Sequence, residues 1–450
     1  MKKIFQYIML AVVTIVMASC TSDIEEPTAT TGKSNVQLVV GEFPAFGDSQ
    51  TRAIGTPDEG KTSWAEGDEL LLVIDNTFYG KQYATFTYND KSWKLTSGEL
   101  VYREGDPAYI PHVYYAPNYK WEAGKLVLKE GKDPGTDEYI EGNARITGNS
   151  ETITVSFAEA TRKYSRLRIA TLPNEQITVD TEDFTPAGSS DMEQKGNYTL
   201  TSDEKGNAYL YGTFENNSEV TVKYREAALT TYTFSQATES AKSYALDATV
   251  ISANSAEEIK SAIKQKVADG KTTIRLNLAP NAGTDEFMAI REAIKGAAPN
   301  DEGTIELTII GVETIPEEAF KRMSQLKSVK MPDVKEIKKY AFSECQYLTV
   351  VEAPSLNKLN CGAFNECYLL SKLTFGPINY ADARYWPIFE DITPNIDLIL
   401  SDYQKEMIET DDDLYTANND IDYAFSPEHV SKNFLGHEFK SITCSRYRVE

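Results

Sequence analysis

Three consecutive stretches decide the architecture: IPEEAFKRMSQLKSVKMP at 315–332, IKKYAFSECQYLTVVEAP at 337–354 and LNCGAFNECYLLSKLTFG at 359–376. Their first residues, Ile315, Ile337 and Leu359, stand 22 positions apart. Ala319, Ala341 and Ala363 share one register, as do Phe320, Phe342 and Phe364, then Leu326, Leu348 and Leu370, then Val329, Val351 and Leu373. A fixed period of this length is one supersecondary unit repeated, and each unit buries its apolar face only against its neighbours. Each unit reads as one coil of a solenoid, with a short strand and a tight return. Leu326 and Val329 face inward, while Lys327 and Ser328 lie nearer the surface. Phe320 fills the far side of the coil, and Ala319 is small where the chain passes closest to the next coil. The expected repeat core is Phe320, Phe342, Phe364, Leu326, Leu348 and Leu370.

The period falls within the leucine-rich-repeat range of roughly 20 to 29 residues. AFSEC and AFNEC carry an AF-x-x-C pattern that resembles the bacterial surface-antigen class of leucine-rich repeats. The resemblance covers 305–376 and continues more loosely through IFEDITPNIDLILSD as a closing coil and NFLGHEFKSITC as a final capping strand. Upstream, Ser255 caps an expected helix with Glu257 and Glu258 in its first turn and Ile259, Ile263 and Val267 on one face. TTIRLNLA then reads as a strand, and Phe287, Ile290 and Ile294 mark a second short helix. The helical part caps the other end of the repeats. The leucine-rich-repeat domain is placed at 253–450, after a small, polar linker, ALDATVISANSA, at 245–256. Cys345 and Cys367 hold the same slot in adjacent coils, about 5 Å apart on strand spacing, which permits a disulfide. Met323 in that slot of the first coil marks an apolar pocket, so free buried thiols are the expected state.

Residues 35–250 read as β-structure. NVQLVV, ELLLVI, YATFTY, ETITVSF, SRLRIATL, QITVD, AYLYGTF and EVTVKYR are short strand-like runs separated by Gly, Asn, Asp and Pro. Strands this short and frequent build sandwiches, here one over 35–160 and a second over 161–250. TRAIGTPDEGKTSWAEGDELLLVI, at 51–74, resembles the fimbrillin-like surface and pilus lipoproteins of Bacteroides-type bacteria. There Thr51-Arg52-Ala53 leads to Trp64-x-x-Gly67-Asp68 and an apolar strand. Tyr164-x-x-x-Arg168 resembles the strand that opens the second sandwich of that family. Gly67-Asp68 reads as a turn into the strand, with Trp64 plugging the sandwich end. Arg52 is read as a surface residue of a loop, in preference to a processing site. The fold class is mainly β with an α+β part: fimbrillin-like sandwiches, then a short leucine-rich-repeat solenoid with a helical cap.

The N-terminus gives an address. Lys2 and Lys3 precede an apolar run from Ile4 to Ala18, too short for a membrane span, and Ala18 and Ser19 precede Cys20. This resembles a bacterial lipobox, with Met17 where Leu is usual. The resemblance implies a signal peptide over 1–20 and acyl chains on the Cys20 thiol. At about 0.8 kcal/mol per buried methylene, two or three chains hold a soluble domain stably. Residues 21–34 form an acidic tether in which Asp23, Glu25 and Glu26 resemble the export signal of surface lipoproteins. The expected location is the outer membrane, lipid-anchored and exposed at the cell surface.

With 41% hydrophobic residues the 450-residue chain can bury real cores. Its net charge of −23 repels nucleic acid and anionic headgroups, which removes both as partners. Three histidines exist, His112, His429 and His437, and no H-E-x-x-H, G-x-S-x-G or Walker loop is present. Neither a metal nor another cofactor is expected. Asp411, Asp413 and Asp420 lie in an acidic stretch that lacks the glycine and closing glutamate of a calcium loop, and it reads as solvated. Asp420 and Asp422 form a carboxylate pair of the kind that chance supplies in an acidic chain. The reading is a non-enzymatic surface binding or adhesion module, at a pilus tip or standing alone, with a host or bacterial surface protein or glycan as partner. The alternative is a glycan-binding accessory lipoprotein of a polysaccharide-uptake system, with Trp93, Trp121 and Trp386 as sugar-stacking candidates whose blander role is core packing. A third reading is a purely structural surface component.

Overall fold

The computed structural model describes residues 36–48, 60–76, 80–101, 111–148, 153–157, 162–188, 196–224, 227–253, 255–298, 300–382, 387–400, 409–410, 433–435 and 437–444. Cys20, Arg52, Trp386, His429 and the acidic stretch from Asp411 to Asp422 lie outside them. The protein is mainly β, with two sandwiches followed by a solenoid.

The first sandwich packs a three-stranded sheet (Val36–Val40, Ile153–Phe157, Arg145–Gly148) on a five-stranded one. The larger sheet runs in the order Ser92–Glu99, Gly80–Asn89, Glu69–Asn76, His112–Tyr115, Ile140–Asn143. Alternation fills the space between them: Leu70, Leu72, Ala84, Phe86, Val113 and Ile140 meet Leu38, Val155 and Phe157. Trp64 closes one end. Its indole donates to the Gly41 carbonyl at 2.9 Å and meets Phe43, Trp93 and Tyr115 edge-on. Gly67 takes φ +87°, and Asp68 ties the turn by accepting from Lys61, the Ala65 amide and the Tyr115 hydroxyl.

The second sandwich closes over Leu167, Ile169, Ile177, Val179, Leu210, Phe214, Val220 and Val222. A two-residue strand from the first unit, Gly47–Asp48, adds to its edge beside Lys242–Asp247. The units are joined by a cationic and aromatic cluster. Arg162 and Arg166 stack their guanidinium groups on Phe46 at 3.7 and 4.6 Å from its ring centre, and Arg162 pairs with the buried Glu138.

The solenoid begins earlier than the repeats. The stretch 245–256, expected as a linker, instead completes the Lys242–Asp247 strand and supplies Ile251–Ala253, the first strand of an eight-stranded parallel sheet. Small polar residues accept a strand here because partners flank both segments: Arg166–Ala170 on one side and Leu276–Leu278 on the other. The sheet continues through Thr273–Leu278, Ile305–Ile310, Leu326–Lys330, Val350–Ala353, Lys372–Phe375, Asp397–Leu400 and Ser441–Cys444. Helices α1 (Ala256–Ala268) and α2 (Thr284–Ala297) form the return of the first two coils. A second ladder of two-residue parallel strands runs along the solenoid at Thr314–Ile315, Glu336–Ile337, Lys358–Leu359, Tyr380–Ala381 and Glu409–Thr410. Spacing holds at 22 from Val350 to Lys372, widens to 25 at Asp397 and to 44 at Ser441, so the closing coils carry insertions.

Candidate functional site

The interior of each coil is lined by apolar side chains. Phe320, Phe342, Phe364, Leu326, Leu348 and Leu370 are all buried in one core. The phenyl rings form a column: Phe320 to Phe342 at 5.3 Å, Phe342 to Phe364 at 5.5 Å and Phe364 to Phe389 at 5.7 Å, each within 19° of parallel. Phe287 of α2 caps the column edge-on at 5.6 Å. The third side of each coil is a chain of turns whose backbone bonds to the next coil, as from the Phe320 amide to the Ala341 carbonyl at 2.8 Å and from Phe342 to Ala363 at 2.9 Å. These turns place Glu318, Tyr340 and Gly362, and then Arg322, Glu344 and Glu366, in the left-handed region, again at 22-residue spacing. The slot held by Glu318 and Tyr340 in the preceding coils takes glycine at 362, where a Cβ would fall 2.4 Å from the Tyr340 ring. Cys345 and Cys367 are free and buried, and each lies against the carbonyl of the preceding phenylalanine slot, Phe320 and Phe342, at 3.0 and 3.1 Å. Burial pushes the Cys345 thiol up to about 12 and that of Cys367 well above its ordinary value.

The outward face of the long sheet presents two columns in register, Ser328, Val350, Lys372, Asp397 and Lys330, Glu352, Thr374, Ile399. Adjacent members stand one strand apart, about 4.8 Å. All are exposed or half-buried. The second sandwich covers the start of the same face. Arg275 and Thr308 are buried there, Ile310 joins the sandwich core, and Arg275 donates from Nε to the Leu229 carbonyl at 2.7 Å. The available face therefore begins at Leu326–Lys330. Pairs one coil apart brace the coils: Lys330 with Glu352 at 3.3 Å within the second column, and, away from the face, Glu313 with Lys335 at 2.6 Å, Glu336 with Lys358 at 3.1 Å and Arg322 with Glu344 at 2.7 Å.

Residues 304–385 match the family model for the BspA type leucine rich repeat region, in six copies. The match spans the regular coils described above. No curated protein matches the chain in sequence. Among solved structures, the chain is similar to a Bacteroides fragilis protein provisionally described as a cell adhesion protein, at 12% identity and a TM-score of 0.29, over 48% of this chain and 93% of that one. It is also similar to a minor pilin of Streptococcus agalactiae, at 11% identity and a TM-score of 0.17, over 48% of this chain and 94% of the pilin.

Beyond the BspA-type coils, the other sequence candidates separate. His112 is exposed at the start of its strand, whereas His437 packs on Phe389 and Phe439 at 5.7 and 4.9 Å. Burial there holds the His437 imidazole below its ordinary value. Among the described residues no group of three or more His, Cys, Asp or Glu is placed to hold a metal, and no helix is long and apolar enough to cross a membrane. Trp93 packs on the first core against Trp64 and Tyr88. Trp121 does not. It stands on a hairpin, Tyr119–Glu122 with Lys125–Leu128, that rises over the outer face of the five-stranded sheet and encloses a groove of about 550 Å³. The hairpin carries its own sequence signal, Ala123-Gly124 between alternating apolar residues, with both turn residues at positive φ, 49° and 81°. The quoted strand runs omit it.

Proposed function

We propose that the protein is a non-enzymatic binding or adhesion lipoprotein, held in the outer membrane by acyl chains on Cys20 and exposed at the cell surface. The two sandwiches act as a stalk and the BspA-type solenoid as the reader. The observation that carries this reading is the open sheet face from Leu326 to Leu400, whose polar columns sit on a close-packed, cross-braced frame with nothing of the chain's described residues covering them. A solenoid offers such a face because each coil contacts only its neighbours and leaves one side of the sheet available. Its mixed composition (Lys372 and Asp397 beside Val350 and Ile399) suits a protein or glycan surface, whose contacts combine small apolar patches with hydrogen bonds.

The test has two arms. Cells carrying Cys20→Ala should release the protein into the medium or periplasm, and continued co-sedimentation with membrane vesicles would refute the anchor. Cells displaying the intact chain should bind immobilised host-matrix proteins. Glu352→Lys with Val350→Arg should abolish that binding with unchanged thermal melting, and full binding by this variant would refute the reading of the sheet face.

A further inference from the structure

The groove on the first sandwich is a site separate from the solenoid. Its floor is a cross-strand row of the five-stranded sheet, Ser97, Thr85, Leu71 and Tyr114, and Tyr83 stands in the next row. Its wall is the hairpin, with Trp121 and Leu126 turned into the groove. Tyr83 and Trp121 meet at 5.9 Å with 40° between ring planes, forming a V-shaped aromatic ledge. Tyr83 is 44% exposed, so much of its surface is open to the groove. Lys81 lies 5.7 Å from the indole centre and braces the ledge from the rim. The charged side chains at the other end are three carboxylates, Asp68, Glu69 and Asp137, and two ammonium groups, Lys120 and Lys129. The far end is fixed to the second sandwich by the Tyr119 hydroxyl, which donates to the Ala187 carbonyl at 3.0 Å, and to the first by Tyr139, against which Tyr119 packs edge-on at 5.7 Å. The hairpin is therefore held open over the sheet.

We infer that this groove binds a neutral oligosaccharide, with its apolar ring faces on the Tyr83–Trp121 ledge and its hydroxyls on the hydroxyl, carboxylate and ammonium groups of the floor and end. A sugar ring has two chemistries, apolar on its faces and polar at its edge, and the groove supplies both within one short span. Thr85, Leu71 and Tyr114 of the floor lie on inner strands paired on both sides and Ser97 on the edge strand, so a peptide lying across most of the floor has no backbone ladder to join. Carboxylates outnumber ammonium groups in the lining, which gives no preference to an anion. The volume accommodates a short chain of roughly two to three rings, within the usual range for small-ligand pockets. This inference goes beyond the adhesion reading and does not depend on it.

The test uses the purified full-length chain with maltohexaose, cellohexaose, xylohexaose and laminarihexaose as neutral probes and a chondroitin oligosaccharide as the acidic one, followed by tryptophan fluorescence and calorimetry. At least one neutral probe should bind saturably up to millimolar concentration. Trp121→Ala and Tyr83→Ala should each weaken binding about tenfold or more, near 1.4 kcal/mol. Trp121→Phe should retain most of the affinity, and Ser97→Trp should block the groove by its bulk while leaving the Tyr83–Trp121 ledge in place. The sheet-face change Glu352→Lys should leave sugar binding intact, which separates this site from the solenoid. The inference is overturned if no neutral probe binds, if only the acidic probe binds, or if binding survives both Tyr83→Ala and Ser97→Trp in variants that melt like the parent.

Discussion

Truncating Phe342 to alanine tests the solenoid at its centre. The ring is fully buried and stacked on both faces, by Phe320 at 5.3 Å and Phe364 at 5.5 Å. Removing a buried phenylalanine costs about 3–5 kcal/mol, and each lost ring pair adds roughly 0.5–1.5 kcal/mol beyond area. The site has little freedom to collapse, because the flanking rings belong to coils clamped by the Phe320–Ala341 and Phe342–Ala363 backbone bonds. The loss should therefore sit at the top of the range, about 5 kcal/mol. The chain also carries two sandwiches with cores of their own, so the readout must be local: hydrogen exchange of peptides spanning 315–375 through a urea series. Protection should fall in the neighbouring coils as well as the mutated one, since a solenoid's stability is shared between nearest neighbours. Tyr368→Ala, at a residue 45% exposed, is the control and should stay within about 0.5 kcal/mol. A Phe342→Ala loss under about 1.5 kcal/mol, or one confined to a single coil, would refute the idea that the phenyl column holds the coils together.

Arg162→Ala should strand the Glu138 carboxylate, which is 4% exposed, and cost about 3–5 kcal/mol in a thermal scan, whereas Arg162→Met with Glu138→Met should recover most of it. Iodoacetamide at mildly alkaline pH should leave Cys345 and Cys367 unmodified until denaturant is added, because burial raises both thiols and little thiolate forms; rapid native-state labelling would contradict this. His437 has its folded-state value lowered, so the unfolded chain takes up the proton first; the closing segment should lose protection as pH falls below about 6.5, and His437→Phe should flatten that dependence. Arg275→Ala should release the second sandwich from the solenoid, read by small-angle scattering as a broader distance distribution, and an unchanged profile would mean the Leu229 contact does not fix the joint.

The regular coils were legible because the same side chain must recur wherever identical coils stack. Phe320, Phe342 and Phe364 occupy one column for that reason, and the spacing alone identifies it. The first two coils were not, because helices replace the turns and no AF pattern survives. Phe287 fills the phenyl slot from α2, where its helical spacing shows only an apolar face. The Ile251–Ala253 strand was hidden by its composition, since three residues among Ala, Ser and Thr look like a linker until a parallel partner is present. Arg275 misleads in the same way. A charged residue alternating with Ile274 and Leu276 reads as solvent-facing, yet it is 8% exposed because another unit docks on that face. The Trp64 plug was readable from its own turn, whereas the role of Trp121 depends on Tyr83, a residue 38 positions away with no shared motif.

The docking of the second sandwich has a consequence for what the solenoid can read. The long sheet has eight strands, but Arg275, Thr308 and Ile310 are covered, which removes those positions of the second and third strands from a ligand's reach. What remains open is the part built from the regular coils, where each outward column changes chemistry from strand to strand: Ser328, Val350, Lys372, Asp397. The repeat fixes the inward residues and leaves these positions unconstrained by packing, so specificity can vary along the face without disturbing the phenyl column beneath it. The same separation holds in the first sandwich. Leu70, Leu72 and Phe86 hold the core, while Leu71, Thr85 and Tyr83 on the opposite face of the same strands line the groove. In both places the β-strand's alternation divides stability from recognition at adjacent residues. A change of ligand therefore requires substitutions only on one parity of the strand, which is a route to new binding that leaves the fold intact.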